Sequence, residues 1–316
     1  MIKAAATRLA PVVRRTPMLS SPFLDEMAGR RVLVKAENLQ HTGSFKFRGG
    51  WSALSGMSEA QRANGVIAYS SGNHAQGVAM AAAKFGIPAV ILMPSDSPRL
   101  KIENTRALGA EVVLYDRLTE SREDLGATIS AERGLALVKP YDDPLVIAGQ
   151  GTVGLEIVEQ AVAEGVAKAD VLVPCGGGGL TSGISITMEG TGLRARPCEP
   201  EGFDDATRSL ASGKREVNAT QGGSICDAIV TNSPGEITFP IMLKNCGSGL
   251  VVSDGEAMRA VALAYQRLKI VLEPGGAVAL AAALFHSDEI EGDAVIVVTT
   301  GGNVDTDVFT RCLETL

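Results

Sequence analysis

One lysine of this chain has unusual neighbours. In His41-Thr42-Gly43-Ser44-Phe45-Lys46-Phe47-Arg48-Gly49-Gly50, Lys46 stands between two phenylalanines. Apolar surroundings disfavour the charged form of an amine and lower its pKa, which is how a lysine becomes a nucleophile or base near neutral pH. The phenylalanines would keep such a centre dry. The same stretch also fits a lysine at a helix start whose ammonium snorkels into water, so other segments must decide. Gly176-Gly177-Gly178-Gly179 follows an apolar run and leads into another. Consecutive N–H groups without side chains, at the positive end of a helix, make a nest for phosphate. The run is neither Gly-x-Gly-x-x-Gly nor a loop ending in Lys-Ser/Thr, and the acidic residue of a dinucleotide site is missing. Ser70-Ser71-Gly72-Asn73-His74 places two hydroxyls and an amide at a further helix start, where a plain N-cap is the competing explanation. Thr299-Thr300-Gly301-Gly302-Asn303 carries hydroxyls at a strand end, where the competing explanation is a simple turn.

The elements that must position these segments alternate. Val32 to Ala36 reads as a strand before the lysine stretch, with Ile2 to Val13 as a first helix and Trp51 to Leu54 continuing another. Strands are expected at 65–69, 89–93, 111–115, 135–138, 170–174, 194–198 and 294–298. Helices are expected at 75–85, 98–108, 120–133, 151–164, 180–189, 204–211, 255–269 and 277–285. Strands alternating with helices imply right-handed crossovers and parallel sheets. Pro140-Tyr141-Asp142-Asp143-Pro144 reads as a turn-rich link. The expected fold class is α/β, with two open, mostly parallel sheets flanked by helices. Residues 1–54 and 142–316 form the larger domain and 55–141 a smaller, mobile one on the substrate side. Ligands bind at the carboxyl ends of strands in such sheets, and each of the four segments follows a strand.

Composition narrows the function. The chain has 316 residues, 45% of them hydrophobic but only 4% aromatic, so its core is built of Ala, Val, Leu and Ile, as suits buried parallel strands. The net charge of −7 and the lack of a basic run beyond Arg14-Arg15 and Arg30-Arg31 argue against nucleic acid as a principal partner. No apolar run reaches membrane-spanning length. The five scattered cysteines have no metal-ligand spacing and read as small buried hydrophobes in a reducing, cytoplasmic compartment.

A lysine, a phosphate nest, an amide and a hydroxyl at a strand end are jointly what pyridoxal 5'-phosphate requires: a Schiff-base partner, a cradle, a donor to its phenolic oxygen and a partner for its ring nitrogen. The segments Ser44 to Gly49, Ser70 to His74, Gly176 to Gly179 and Thr300 to Asn303 resemble those of the serine/threonine dehydratase and serine racemase family, pyridoxal-phosphate enzymes of the tryptophan-synthase-β fold type. The resemblance runs from about Thr16 to Asp305. It implies that Lys46, beside Phe45, carries the cofactor as a Schiff base, that Asn73 contacts the phenolic oxygen, that Gly176, Gly177, Gly178 and Gly179 hold the phosphate, and that Thr300 faces the pyridine nitrogen. The family more often has Ser or Cys at that last position. A neutral hydroxyl there, in place of a carboxylate, makes a shallower electron sink and favours loss of a β-substituent over transamination.

The expected reaction is β-elimination from a β-hydroxy amino acid (serine, threonine or 3-hydroxyaspartate), with Lys46 as general base and a 2-oxo acid and ammonia as products. Ser70, Ser71, Asn73 and His74 would take the substrate α-carboxylate at a helix N-terminus. The resemblance also gives Ser71 a place on the opposite face, as the reprotonating group of a racemase, which is the alternative activity. Arg122 is either an exposed helical arginine beside Glu120 and Glu123 or, as in the similar racemases, a cation for a second carboxylate. A β-carboxylate needs such a partner and a threonine methyl does not. Glu199-Pro200-Glu201-Gly202-Phe203-Asp204-Asp205 matches the family's divalent-cation loop, implying Mg²⁺ or Ca²⁺ on Glu199, Asp205 and the Phe203 carbonyl; an Asp cap on the next helix is the competing explanation. Glu273-Pro274-Gly275-Gly276 and Ser224-Ile225-Cys226-Asp227 look like further loops of the site, without a role. A homodimer is implied by resemblance alone. A non-catalytic binder of a phosphorylated metabolite would use the same nest but have no need of Lys46.

Overall fold

Ten strands form two sheets in a computed structural model that describes residues 1–316 apart from Ser71, Pro98, Arg117 and Gln221 and the side chain of Leu100. In chain order the strands are β1 (Met18–Leu19), β2 (Arg31–Ala36), β3 (Val66–Tyr69), β4 (Ala89–Pro94), β5 (Glu111–Tyr115), β6 (Ala136–Leu137), β7 (Ala169–Pro174), β8 (Leu193–Pro200), β9 (Leu250–Val252) and β10 (Ala294–Thr299). The larger sheet has the order β1-β2-β10-β7-β8-β9 and the smaller β5-β4-β3-β6. Every pairing is parallel except β1 with β2 at the edge. β7 and β10 are buried along their whole length, because helices cover both faces of a parallel sheet and leave no polar side.

Expectation and structure agree on alternation and differ at element ends. The first helix is Ile2–Leu9, shorter than expected, because Pro11 has no N–H to continue the ladder. The link after Pro140 runs straight into a helix, Pro144–Gln150. Asp143 caps it, its Oδ1 accepting the N–H groups of Leu145 at 2.7 Å and Val146 at 3.0 Å, with Pro144 at the first helical position. Asp-Pro before an apolar run is a helix-start signal, concealed here by the turn-forming residues ahead of it. The Pro274–Phe285 helix is buried from Pro274 to Leu284. Its alanines and glycines let it lie against the larger sheet in the main core.

The Lys46–Gly56 helix is shared between the two layers. Its Phe47, Ala53 and Leu54 belong to the core of the smaller sheet, while Arg48 lies in an ion cluster near β2. Arg48 is fully buried and bidentate to Glu37, with Nε to Oε2 and Nη2 to Oε1 both at 2.8 Å, and its Nη1 lies 2.7 Å from Glu156 Oε1. Lys35 completes the set through Glu156 and donates to Thr16 O at 2.8 Å. Two cations and two carboxylates thus neutralise one another beside the turn that carries Lys46.

Candidate active site

Lys46 owes its position to strand order. β2 and β10 are neighbours in register, with Thr299 opposite Ala36, so the loops leaving their carboxyl ends run side by side. Ser44 bridges Gly301, Phe45 N–H donates to Thr300 O at 3.2 Å, and Gly302 N–H donates to Gly43 O at 3.0 Å. Lys46 opens the helix that follows. Its Nζ donates to Pro140 O at 3.0 Å and lies 5.1 Å from the centre of the Phe45 ring. Burial pushes its pKa down to about 8, against the opposing charge of Glu273. An amine there gives up its proton near neutral pH. The two phenylalanines do not share the task of drying it. Phe45 flanks Lys46, but Phe47 points into the smaller sheet's core against His41, at 4.9 Å between ring centres. Adjacent helical residues face different sides, which a linear reading of Phe-Lys-Phe overlooks.

A close helix crossing brings Asn73 to the lysine. The Asn73–Phe85 helix meets the Lys46 helix at two glycines. A Cβ on Gly77 would come within 2.8 Å of the Lys46 carbonyl carbon, and one on Gly50 within 3.0 Å of Gly77 O. Asn73 Oδ1 accepts from Asn303 Nδ2 at 2.7 Å, and Asn73 Nδ2 donates to Glu273. His74 is buried, and its Nε2 lies 2.9 Å from Val138 O. Burial first, then the nearby Lys46 charge, pushes its pKa down to about 3. It is a neutral imidazole whose Nδ1 has no hydrogen-bond partner among the described residues. Ser70 Oγ accepts the Gly72 N–H at 3.2 Å. Ser71 lies outside the described residues.

The glycine loop leaves β7 and enters the Gly179–Thr187 helix with Gly178 in the left-handed region at φ 88°. The surroundings exclude side chains. A Cβ on Gly177 would fall 2.3 Å from the Tyr141 ring, and one on Gly179 would fall 2.6 Å from Gln150 Oε1. The result is bare backbone N–H groups at a helix N-terminus, which is the chemistry of a phosphate cradle. Pro140 and Tyr141 join the two parts of the site, the former by accepting from Lys46 and the latter by lying on Gly177. Tyr141 and Gln150 carried no signal in the sequence, since only the fold puts them against the loop. Thr300 is buried at the end of β10, and its N–H donates to Gly276 O at 3.3 Å. The pyridoxal-phosphate residues fit the group on this geometry: a desolvated amine, an amide, a neutral hydroxyl and a cradle that a single Cβ would obstruct.

Arg122 opens the Arg122–Arg133 helix and is half exposed. Its Nε donates to Glu123 Oε1 at 2.7 Å, and its guanidinium lies over the Tyr69 ring, 5.4 Å from its centre. Its charge also pulls the Tyr141 pKa down, against the burial that pushes it up.

Glu199 near the end of β8, Phe203 in the turn that follows and Asp205 at the start of the Asp205–Ser212 helix are all buried. Asp204 holds the N-cap position of that helix, but its side chain does not cap it. Glu199 instead accepts the N–H groups of Ala206 at 2.8 Å and Thr207 at 2.7 Å. Asp205 Oδ1 accepts from Asn218 at 2.6 Å, while its buried Oδ2 has no partner among the described residues. Burial, with the Asp205 charge added, pushes Glu199 up to about 8, and burial pushes Asp205 up to about 6. Among the described residues no group of three or more His, Cys, Asp or Glu is placed to hold a metal.

Comparison with known proteins agrees with this geometry. Residues 9–301 match the model of the family described as "Pyridoxal-phosphate dependent enzyme". An L-threo-3-hydroxyaspartate ammonia-lyase from a Pseudomonas species is 42% identical, over 98% of this chain and 96% of that protein. The serine racemase of Schizosaccharomyces pombe is 36% identical, over 99% and 96%. The crystal structure of the T.th. threonine deaminase superposes with a TM-score of 0.90 at 43% identity, covering 96% of this chain and 97% of that one. The matched region contains the lysine loop, the Asn73 helix start, the glycine cradle and Thr300, and so the chain belongs to the pyridoxal-phosphate-dependent enzyme family.

Proposed function

We propose that this enzyme is an ammonia-lyase that removes water from a 3-hydroxyaspartate and releases a 2-oxo acid and ammonia. The observation that carries the activity is Lys46, a desolvated amine with a pKa near 8 beside Asn73 and the glycine cradle. The bound cofactor supplies the electron sink for the α-carbanion. Lys46 takes the α-proton, for which its lowered pKa suits it near neutral pH. The start of the Asn73–Phe85 helix, with Ser70, Ser71 and His74, binds the α-carboxylate through N–H groups and a positive helix end. His74, neutral and held to Val138 O through Nε2, puts no competing charge there. Thr300 offers the ring nitrogen a hydroxyl and no formal charge. Phe45 shields the amine from water.

The choice of substrate rests on Arg122, a cation held over the Tyr69 ring, and on the likeness to L-threo-3-hydroxyaspartate ammonia-lyases. Arg122 takes the β-carboxylate by exchanging Glu123 for the substrate. We propose that residues 55–141 move as the substrate-side unit and bring it there. Assay of 2-oxo acid release from L-threo-3-hydroxyaspartate, L-threonine and L-serine tests this. Arg122→Ala is expected to lower kcat/KM for hydroxyaspartate by roughly 10- to 150-fold, the loss of a hydrogen bond to a charged group, and that for threonine by less than about threefold. An equal fall for both substrates removes Arg122 from substrate choice. Racemisation is the second reading, favoured by the similarity to serine racemases. Chiral analysis of recovered substrate separates the two activities.

Glu199, Asp205 and the Phe203 carbonyl suit Mg²⁺ or Ca²⁺, because two buried carboxylates, one with an oxygen unpartnered among the described residues, are hard oxygen donors. Either cation is expected to raise the melting temperature, by an amount that grows with its concentration, and Asp205→Asn to abolish the rise. A wild-type melting temperature indifferent to both cations removes the site. The five cysteines are unpaired, which favours a reducing compartment such as the cytoplasm. No helix among the described residues is long and apolar enough to cross a membrane.

A further inference from the structure

Glu273 is a buried carboxylate with no part in the scheme above. It is 3% exposed and directly precedes the Pro274–Phe285 helix. Its backbone N–H donates to Gly301 O at 3.1 Å. Its Oε1 occupies the space where a Cβ on residue 301 would lie, 1.9 Å away, so the glycine after Thr300 makes room for this carboxylate. Oε1 accepts the Asn73 Nδ2 hydrogen bond at 2.5 Å. On the other side of the amide, Asn303 Nδ2 donates to Asn73 Oδ1 at 2.7 Å and to Thr42 O at 2.8 Å. The chain of donors is consistent from end to end, and it sets the orientation of Asn73. Its oxygen is spent on Asn303 and one N–H on Glu273, which among the described residues leaves one N–H free.

We propose that Glu273 is a positioning residue: by accepting one N–H of Asn73 it fixes that amide so that its second N–H serves as donor to the cofactor's phenolic oxygen. The inference rests on the role given to Asn73 above. Without an acceptor at 273 the amide is free to turn over, and its oxygen would then confront the phenolic oxygen as acceptor against acceptor. Burial pushes Glu273 up to about 7. Its bond from Asn73 and the Lys101 and Lys46 charges pull it down, and Asp227 pushes it up. Protonation of Oε2 leaves Oε1 an acceptor, so the arrangement does not depend on the charge and an amide oxygen can replace it.

The test is the affinity and absorbance band of pyridoxal phosphate, titrated into full-length protein stripped with hydroxylamine. Glu273→Ala is expected to weaken binding by roughly 5- to 150-fold, as for a buried donor left unsatisfied, and to shift the band. Glu273→Gln is expected to stay within about threefold of wild type. Adding Glu273→Ala to Asn73→Ala should weaken binding no further, because the two residues act as one unit. Gly301→Ala pushes the carboxylate aside without removing it, and its Cβ also comes within 2.9 Å of Asn73 Nδ2, so it should weaken binding at least as much as Glu273→Ala, which covers the case of an unfolded Glu273→Ala. Wild-type affinity in Glu273→Ala or, if that does not fold, in Gly301→Ala overturns the proposal. So do additive losses with Asn73→Ala and a glutamine variant as weak as alanine. If the wild type itself takes up no cofactor, the reading of the whole site fails. If it does and alanine changes nothing, only the role of Glu273 fails.

Discussion

Lys46→Ala is expected to fold and to release 2-oxo acid from L-threo-3-hydroxyaspartate at least about 10²- to 10⁴-fold more slowly, the range for a lost general base. Folding should survive because, among the described residues, Nζ makes one hydrogen bond, to Pro140 O, and burial already works against its charge. Borohydride provides a second readout. Reduction should attach the cofactor covalently to the wild type and leave the variant unlabelled, which mass spectrometry of the tryptic peptide containing residue 46 resolves. Retention of both elimination and cofactor absorbance by Lys46→Ala would falsify the scheme. The same pair of measurements excludes a non-catalytic phosphometabolite binder, which has no use for the amine and should bind its ligand equally well with alanine at 46.

The second large effect is on stability. Arg48→Met should destabilise the protein by about 3–5 kcal/mol, the usual result of removing one partner from a buried ion pair. Arg48 is bidentate to Glu37 and bonded to Glu156. Its loss leaves buried Glu37 and partly buried Glu156 against Lys35 alone. A melting temperature lower by on the order of 10 °C is expected. Glu156→Gln added to Arg48→Met should recover part of this, since it restores neutrality with Lys35 and Glu37. A double variant less stable than Arg48→Met means that geometry, not charge balance, holds the cluster together.

Sequence motifs and structural neighbourhood supplied different parts of the site. Local chemistry marks the residues that carry their signal with them. Four adjacent glycines before a helix, Asn after Ser-Ser-Gly at a helix start and a lysine in a loop after a strand are recognisable without coordinates, because each requirement is met within a few residues. Arg122 was recognisable as a cation, but its place over the Tyr69 ring was not. Glu273 shows the limit most clearly. Its partner Asn73 is 200 positions away, and nothing in Glu-Pro-Gly-Gly distinguishes a helix-leading glutamate from an amide's acceptor. Phe47 shows the converse, a neighbour in sequence that belongs to another core.

By itself, the sequence determined the alternation of strands and helices, the parallel class of the sheets and the type of cofactor chemistry, since apolar period, turn residues and motif composition are local quantities. The tertiary structure alone decided which residues meet. Placing β10 beside β2 set Thr300 against the lysine loop, and the Gly50–Gly77 crossing delivered Asn73 to Lys46. The fold also laid Tyr141 on Gly177 and gave Asn73 its acceptor in Glu273. Strand order and helix crossings bring together residues far apart along the chain, and no local pattern encodes which ones these will be.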